Sequence, residues 1–484
     1  MEKLDILELG NKFRSQLFKN EDDIKLKTYS EIILPIQKRF APDARFLSEF
    51  TFAKGGRADG TIGNLVFEYK RFEYFNKESG INEALYGRSS NKNDSGLYQY
   101  IISSIEGDTI DDSILDTFGI GFDGQTWIVA RFAKTLEINS LDLTRTRFKN
   151  LYNQDRINCQ YAFQYKKFNL YEGIEQLITL FTSTNKTKIT KDNLNAVFNP
   201  KNEIVANAVR AIYSIAEEEF SIDYPKRTST LFNEWNKSFG AMFGHEDEET
   251  EFNETTAVIK KLYNLDDSVN VDMRIFLFAT QTFFNIVLKL LIDAFIRTLM
   301  NPGEYFTYHR SWSEITELFE GSNNEENNFI DNFFEIHYYE WFTYLYEGAH
   351  QTKMTNIIQD ISSMLNKFDL ATFKVRPESV QDILQEIYMT LIPDKFRHLL
   401  GEYFSPDWIV EHALNRIGYK GQVDKKLIDP TCGSGAFIIQ AIKRYIKAKN
   451  NYIDINEAIN ITKNIVGIDL NPISAVSAKA NYIL

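Results

Sequence analysis

The chain has 484 residues, 43% hydrophobic and 14% aromatic, which supplies apolar matter for about three domains and excludes a disordered or fibrous protein. A net charge of −13 argues against a surface coated for nucleic-acid binding, although local patches on an acidic protein still bind DNA. Two cysteines, Cys159 and Cys432, exclude a disulfide framework and suit a reducing compartment, and with no signal peptide in view a cytoplasmic protein is expected.

The first segment that carries chemistry runs from Arg57 to Lys70. Gly63-Asn64 lies between two strand-like runs, the signal of a two-residue hairpin. Pairing Ile62 with Leu65 sets Thr61 opposite Val66, Gly60 opposite Phe67 and Asp59 opposite Glu68. Two carboxylates facing across a hairpin repel unless a cation lies between them, and a divalent metal is the natural one. Lys70 shares a face with Glu68, whereas Leu65, Phe67 and Tyr69 point the other way, into a core. Carboxylates holding Mg²⁺ beside a lysine are what phosphodiester hydrolysis needs: the metal polarises the phosphate and activates water, and the lysine orients that water or stabilises charge.

The hairpin resembles the PD-(D/E)xK nuclease core, with Asp59 as first acid and Glu68-Tyr69-Lys70 as the signature. The resemblance implies metal ligation by Asp59 and Glu68, catalysis by these two with Lys70, a third ligand at Glu31 on the preceding helix, with Glu49 its rival, and a phosphate contact at Gln99. The run Gly121 to Val129 reads as a further hairpin of the same sheet.

From roughly Asn169 to Gln385 apolar residues recur at helical spacing, as in Ala206 to Phe220 and Phe276 to Leu299, so a helical connector is expected. The longest apolar stretch, Ile275 to Met300, carries Gln281, Lys289, Asp293 and Arg297 at helical intervals and reads as a buried helix, not a membrane span. Glu246 to Glu249 and Glu317 to Glu326 read as exposed acidic loops. Histidines 245, 337, 350, 398 and 412 show no ligand spacing for zinc. Val375 to Tyr403 reads as the helical entry to the last domain, with Pro377 near its start and Pro393 as a breaker.

That domain is announced by Asp429-Pro430-Thr431-Cys432-Gly433-Ser434-Gly435, between the apolar Leu427-Ile428 and the amphipathic Ile438 to Lys447. Strand, glycine turn and helix make a nucleotide-cofactor site, in which small residues admit the ligand and the helix N-terminus offers free N–H groups. A second run, Ile465 to Ile468, ends in Asp469, placed to grip ribose hydroxyls. Neither a dinucleotide fingerprint nor a phosphate loop fits the turn.

With Gly401-Glu402-Tyr403-Phe404-Ser405-Pro406 upstream and Asp469-Leu470-Asn471-Pro472 downstream, the segment resembles the adenine-N6 DNA methyltransferases. The resemblance implies S-adenosylmethionine held by Tyr403, Ser405, Pro406, Asp429, Pro430, Thr431, Gly433, Gly435 and Asp469. Phe404-Ser405 departs from the usual Tyr-Thr but keeps the hydroxyl, and Cys432 reads as a packing residue. These enzymes hold the flipped base with an Asn/Asp-Pro-Pro-Tyr/Phe tetrapeptide, which occurs nowhere in the 484 residues. Methylation is therefore expected to need residues beyond Leu484 or a partner chain.

The expected fold is multidomain α/β: a PD-(D/E)xK nuclease domain over 1–168, a helical connector over 169–385, and the start of a Rossmann-like class I methyltransferase domain over 386–484. That order resembles the type IIG restriction-modification enzymes and their relatives in phage defence. It implies a Mg²⁺-dependent endonuclease acting on double-stranded DNA, tied to an S-adenosylmethionine module, with a C-terminal specificity part or other defence-system subunits as partners. Two other readings stay open: a cofactor-gated defence sensor, and a non-cleaving modification subunit.

Overall fold

The computed structural model describes residues 5–52, 57–88, 96–104, 112–134, 161–183, 186–221, 226–239, 249–266, 270–300, 310–320, 338–346, 348–370, 383–392, 397, 405–422, 424–449 and 455–483. Cys159, Glu246 to Glu248, Ser322 to Glu326, Val375 to Asp382, Pro393 and Tyr403 lie outside them. The chain divides into two units, one of residues 1–186 with 301–304 and 371–378, the other of 187–300, 305–370 and 379–484.

In the first unit, Asp5 opens helix α1 (Ile6–Arg14) by accepting the Leu7 N–H at 2.8 Å, and Asn20 caps α2 (Glu21–Thr28) in the same way on Asp23. Helix α3 (Leu34–Phe40), with Pro35 in its first turn, follows. Strands β1 (Phe46–Thr51), β2 (Arg57–Ile62) and β3 (Leu65–Tyr69) form an antiparallel meander. Helices α4 (Glu78–Tyr86) and α5 (Leu97–Ser104) then cross to β4 (Phe118–Phe122), which runs parallel to β3. Strands β5 (Trp127–Lys134) and β6 (Tyr161–Phe168) complete a six-stranded mixed sheet in sequential order, and α6 (Leu170–Ser183) closes the unit.

Side-chain alternation builds two cores, one on each face of this sheet. Leu65, Phe67, Tyr69, Ile120 and Phe122 pack with Ile24, Ile33, Ile36 and Ile174. Val66, Ile128 and Ala130 pack with Ile81, Leu85, Leu97 and Tyr100. The hairpin register Ile62–Leu65, Thr61–Val66, Gly60–Phe67 is as the sequence predicts, with Gly63 at φ +55° in the turn. One expectation needs correction: Val66 shares the Glu68 face yet is core, because α4 and α5 cover it, so only the end of β3 is polar.

The second unit is mainly helical. It comprises β7 (Thr187–Lys188), α7 (Lys191–Val197), α8 (Glu203–Phe220), α9 (Arg227–Phe239), α10 (Glu249–Leu262), α11 (Met273–Met300), α12 (Trp312–Glu320), α13 (Gly348–Leu365), β8 (Phe368–Asp369) and α14 (Ile383–Leu391). After these come α15 (Asp407–Arg416), β9 (Leu427–Asp429), α16 (Ala436–Ala448), α17 (Ile455–Asn464), β10 (Ile465–Gly467) and α18 (Pro472–Ile483). Two expectations change. Among the described residues the connector holds a two-residue parallel pair, β7 with β8, too short to show alternation. Glu317 to Glu320 end helix α12 instead of starting a loop, because Ile315 and Phe319, four residues apart, are both buried.

Helix α11 has the length and apolarity to cross a membrane, but its apolar window is 94% buried inside the protein, as a core helix would be. It packs against α8, α13, α14 and α18, so the helical region and the last helix share one core. Several of its buried polar side chains find partners, although Asn285 Oδ1 has none among the described residues. Gln281 accepts from Trp235 Nε1 and the Tyr339 hydroxyl, each at 3.1 Å, and donates to the Tyr388 hydroxyl at 3.2 Å. Thr282 accepts from Trp341 Nε1 at 3.0 Å, Asn285 donates to Glu340 at 2.7 Å, and the fully buried Lys289 pairs with the same Glu340.

Candidate functional site

At the open end of β2 and β3 the backbone ladder stops at Gly60–Phe67, and the Asp59 side chain takes over. Its Oδ2 accepts the Tyr69 N–H at 2.7 Å, which fixes the carboxylate beside Glu68 and leaves Oδ1 for other partners. Lys70 Nζ donates to Glu68 Oε1 at 2.6 Å, and both residues are buried, at 9% and 7% exposure. The position of Lys70 is itself fixed, since its N–H donates to the Phe122 carbonyl at 2.9 Å.

Burial dominates the electrostatics. It pushes the Glu68 carboxyl up to about 8, against the pull of Lys70 and with the push of Asp59. Burial likewise raises Asp59, although the Tyr69 N–H, Lys25 and Lys70 oppose it. Burial alone would lower Lys70, but the Glu68 charge and hydrogen bond hold its ammonium above the ordinary value. Two carboxylates reluctant to ionise, side by side, are a seat for added positive charge.

The wider cluster was not visible in the spacing of the sequence. Glu21, the first residue of α2, senses Lys70, Asp59 and Arg88, and burial raises its carboxyl. Lys25, one turn on, pairs with Glu49 and stands 3.8 Å from Asp59 Oδ1. Glu83 lies 4.0 Å from Lys70 and is held below the ordinary range, despite burial, by Arg88 and the Tyr74 hydroxyl. Glu31 is elsewhere engaged, paired with Lys12 at 2.6 Å. Gln99, on α5, donates to Ser103 at 2.9 Å.

Among the described residues no group of three or more His, Cys, Asp or Glu side chains forms a closed metal cage. Mg²⁺ does not require one: it commonly takes one or two carboxylates, with water and substrate phosphate completing the shell. Asp59 and Glu68, hard oxygen donors with excess affinity for positive charge, fit that pattern.

In the second unit, β9 and β10 pair in parallel with Leu427 beside Ile465 and Asp429 beside Gly467. The turn after β9 is knitted to the end of β10. Cys432 N–H donates to the Ile468 carbonyl at 2.9 Å, and Gly433 N–H donates to Asp469 Oδ2 at 2.8 Å. Asp469 Oδ1 accepts from Asn471 N–H at 2.9 Å, and Asp429 Oδ1 accepts from Thr431 N–H at 3.1 Å. Each Asp469 oxygen keeps a further lone pair for a ligand hydroxyl. Asn481 on α18 donates to the Ser434 carbonyl at 2.9 Å, and Gly435, at φ +96°, leads directly into α16.

Gly433, at φ +54°, faces open space: a Cβ there would meet nothing within 4 Å. That opening, beside two carboxylates and a helix N-terminus, fits a ligand with hydroxyl groups and a positive centre. The Cys432 thiol is pushed up to about 11 by burial, with Asp469 and Asp429 adding to it, and fills the space under Gly467, as a packing residue would. Pro430 and Thr431 are exposed at the rim of the turn, and Ser405 and Pro406 open α15.

No curated protein and no solved structure matches the chain. Residues 379–484 match the family model for N-6 DNA Methylase, a family that uses S-adenosylmethionine and acts on DNA. The glycine turn and Asp469 thus lie in a segment similar to N-6 DNA methylases, which supports a methyltransferase of the restriction-modification type.

Proposed function

We propose that the chain is a restriction-modification or phage-defence protein of the type IIG kind, in which a Mg²⁺-dependent DNA endonuclease is linked to an S-adenosylmethionine-binding adenine-N6 methylase domain. The observation that carries the nuclease half is the Asp59–Glu68–Lys70 cluster at the open end of the β2–β3 hairpin. Asp59 and Glu68 would hold the metal, and Glu21, whose charge couples to both, is a further candidate carboxylate besides the expected Glu31. Bound Mg²⁺ would supply Lewis-acid polarisation of the phosphate and a more acidic water. The Tyr69 N–H orients Asp59, and the Lys70 ammonium offers its donors to the charge that develops on the scissile phosphate.

In the methylase half, Asp429 and Asp469 with the Gly433 to Gly435 turn would bind S-adenosylmethionine, with Ser405 and Pro406 at the upstream segment that closes over it. The base-holding tetrapeptide is not among the 484 residues, so none of them is assigned to capture of the flipped adenine. Cleavage of unmethylated plasmid DNA with Mg²⁺, with and without S-adenosylmethionine, tests the reading against Lys70→Ala. Cutting that disappears in the variant supports it; a folded protein that cuts under neither condition removes the nuclease half.

A further inference from the structure

Lys25 lies 3.8 Å from the Asp59 oxygen that the Tyr69 N–H leaves free, yet it does not close on it. Glu49 holds it back. The Lys25 ammonium donates to Glu49 Oε1, and Arg57 grips the other Glu49 oxygen at 2.7 Å from the far side. Glu49 sits within β1 at φ +56°, a left-handed backbone conformation that costs a non-glycine residue energy and that the surrounding contacts must sustain. The hydrogen bond from Lys25 also keeps the Glu49 carboxyl below its ordinary range. The side chain of Lys25 is 11% exposed, so its charge is poorly screened where it faces Asp59.

We propose that Glu49 and Lys25 are positioning residues of the hydrolytic site: Glu49 tethers Lys25 so that the free oxygen of Asp59 stays open to a divalent cation. The inference rests on the reading of Asp59 and Glu68 as metal ligands. Untethered, the ammonium moves onto Asp59 Oδ1 and competes there with the metal, as any cation of like charge must. Arg57 cannot replace it, being committed to Glu49 on the solvent side with 66% exposure. The two residues thus have opposite effects on the same oxygen, and the effect of Glu49 passes through Lys25.

Calorimetric titration of the full chain with Mn²⁺, without DNA, separates this from a structural role. Glu49→Gln should weaken Mn²⁺ binding about fivefold, the scale of one charge contact at a partly screened site. Lys25→Met should bind at least as tightly as the parent chain, and Lys25→Met with Glu49→Gln should match Lys25→Met alone. Equal weakening by Glu49→Gln in both backgrounds, or none in either, overturns the proposal. Asp59→Asn provides the separate check: if it binds Mn²⁺ like the parent, the metal-ligand reading itself falls. Thermal melts of each variant keep the comparison to folded protein, and Lys25→Arg, which retains the tether, should behave as the parent does.

Discussion

The carboxylate of Asp469 accepts the Gly433 N–H at 2.8 Å, which ties the end of the second strand of the methylase domain to the turn that follows the first. The same side chain takes the Asn471 N–H, so one residue sets both the shape of the turn and the start of α18. Asp469→Asn retains the size but loses the charge and one acceptor oxygen. Calorimetry should show S-adenosylmethionine binding weakened by at least about tenfold, since charge-assisted hydrogen bonds are worth roughly 1.5–3 kcal/mol. Unchanged affinity would remove Asp469 from the cofactor site.

The two glycines of the turn should respond differently to alanine. Gly433 has open space before it, so Gly433→Ala should cost about 1 kcal/mol of backbone strain in melting experiments but abolish cofactor binding by occupying the ligand's space. At Gly435, φ is +96° and a Cβ would touch Ala478 at 3.4 Å. Gly435→Ala should therefore be the more destabilising of the pair.

Glu68 makes stability depend on pH. Its folded-state value of about 8 lies above the ordinary 4.5, so the folded protein retains a proton that the unfolded chain has released. The resulting stabilisation is fully present below about 4.5 and is lost as pH rises toward 8. Urea unfolding without divalent metal should show a decline of up to about 5 kcal/mol across that window, and Glu68→Gln should flatten it. A decline of the same size in the variant would assign it to another group.

The ion pair of Lys289 and Glu340 is wholly buried, so removing one partner strands the other. Lys289→Met should cost about 3–5 kcal/mol by denaturant unfolding. Adding Glu340→Gln should recover much of the loss, because a neutral amide is far cheaper to bury than a lone carboxylate. No recovery would mean that Glu340 is held mainly by other contacts, such as Asn285.

What the sequence revealed depended on range. The β2–β3 hairpin was legible because its turn residues fix a register, and with it the neighbourhood of Asp59 and Glu68, within fourteen residues of chain. The glycine turn was legible for the same reason, since strand, turn and helix are consecutive. Glu21 and Lys25 were not, because α2 reaches the site through tertiary packing, with Ile24 in the first core, which no local pattern encodes. Glu31 was expected nearby on its position before the hairpin, but it lies within a π-helical turn, Tyr29–Ile33, whose winding differs from that of a continuous α-helix, and it pairs with Lys12. Asp123, fully buried, escaped notice too: it caps the turn after β4 and accepts the Phe75 N–H at 2.7 Å.

Helix α11 has a consequence beyond its burial. A rod greased on every side could slip by a turn, or spin, with little change in the apolar contact it makes. Gln281, Thr282, Asn285 and Lys289 act as notches cut along that rod, all engaging the short segment Tyr339 to Trp341, with Gln281 reaching Trp235 and Tyr388 as well. A one-turn slip would strand all four in hydrocarbon at once. Replacing these residues, together with Glu340, by apolar ones of similar size would therefore give a protein that still collapses, but whose middle layer no longer has a single address for each side chain.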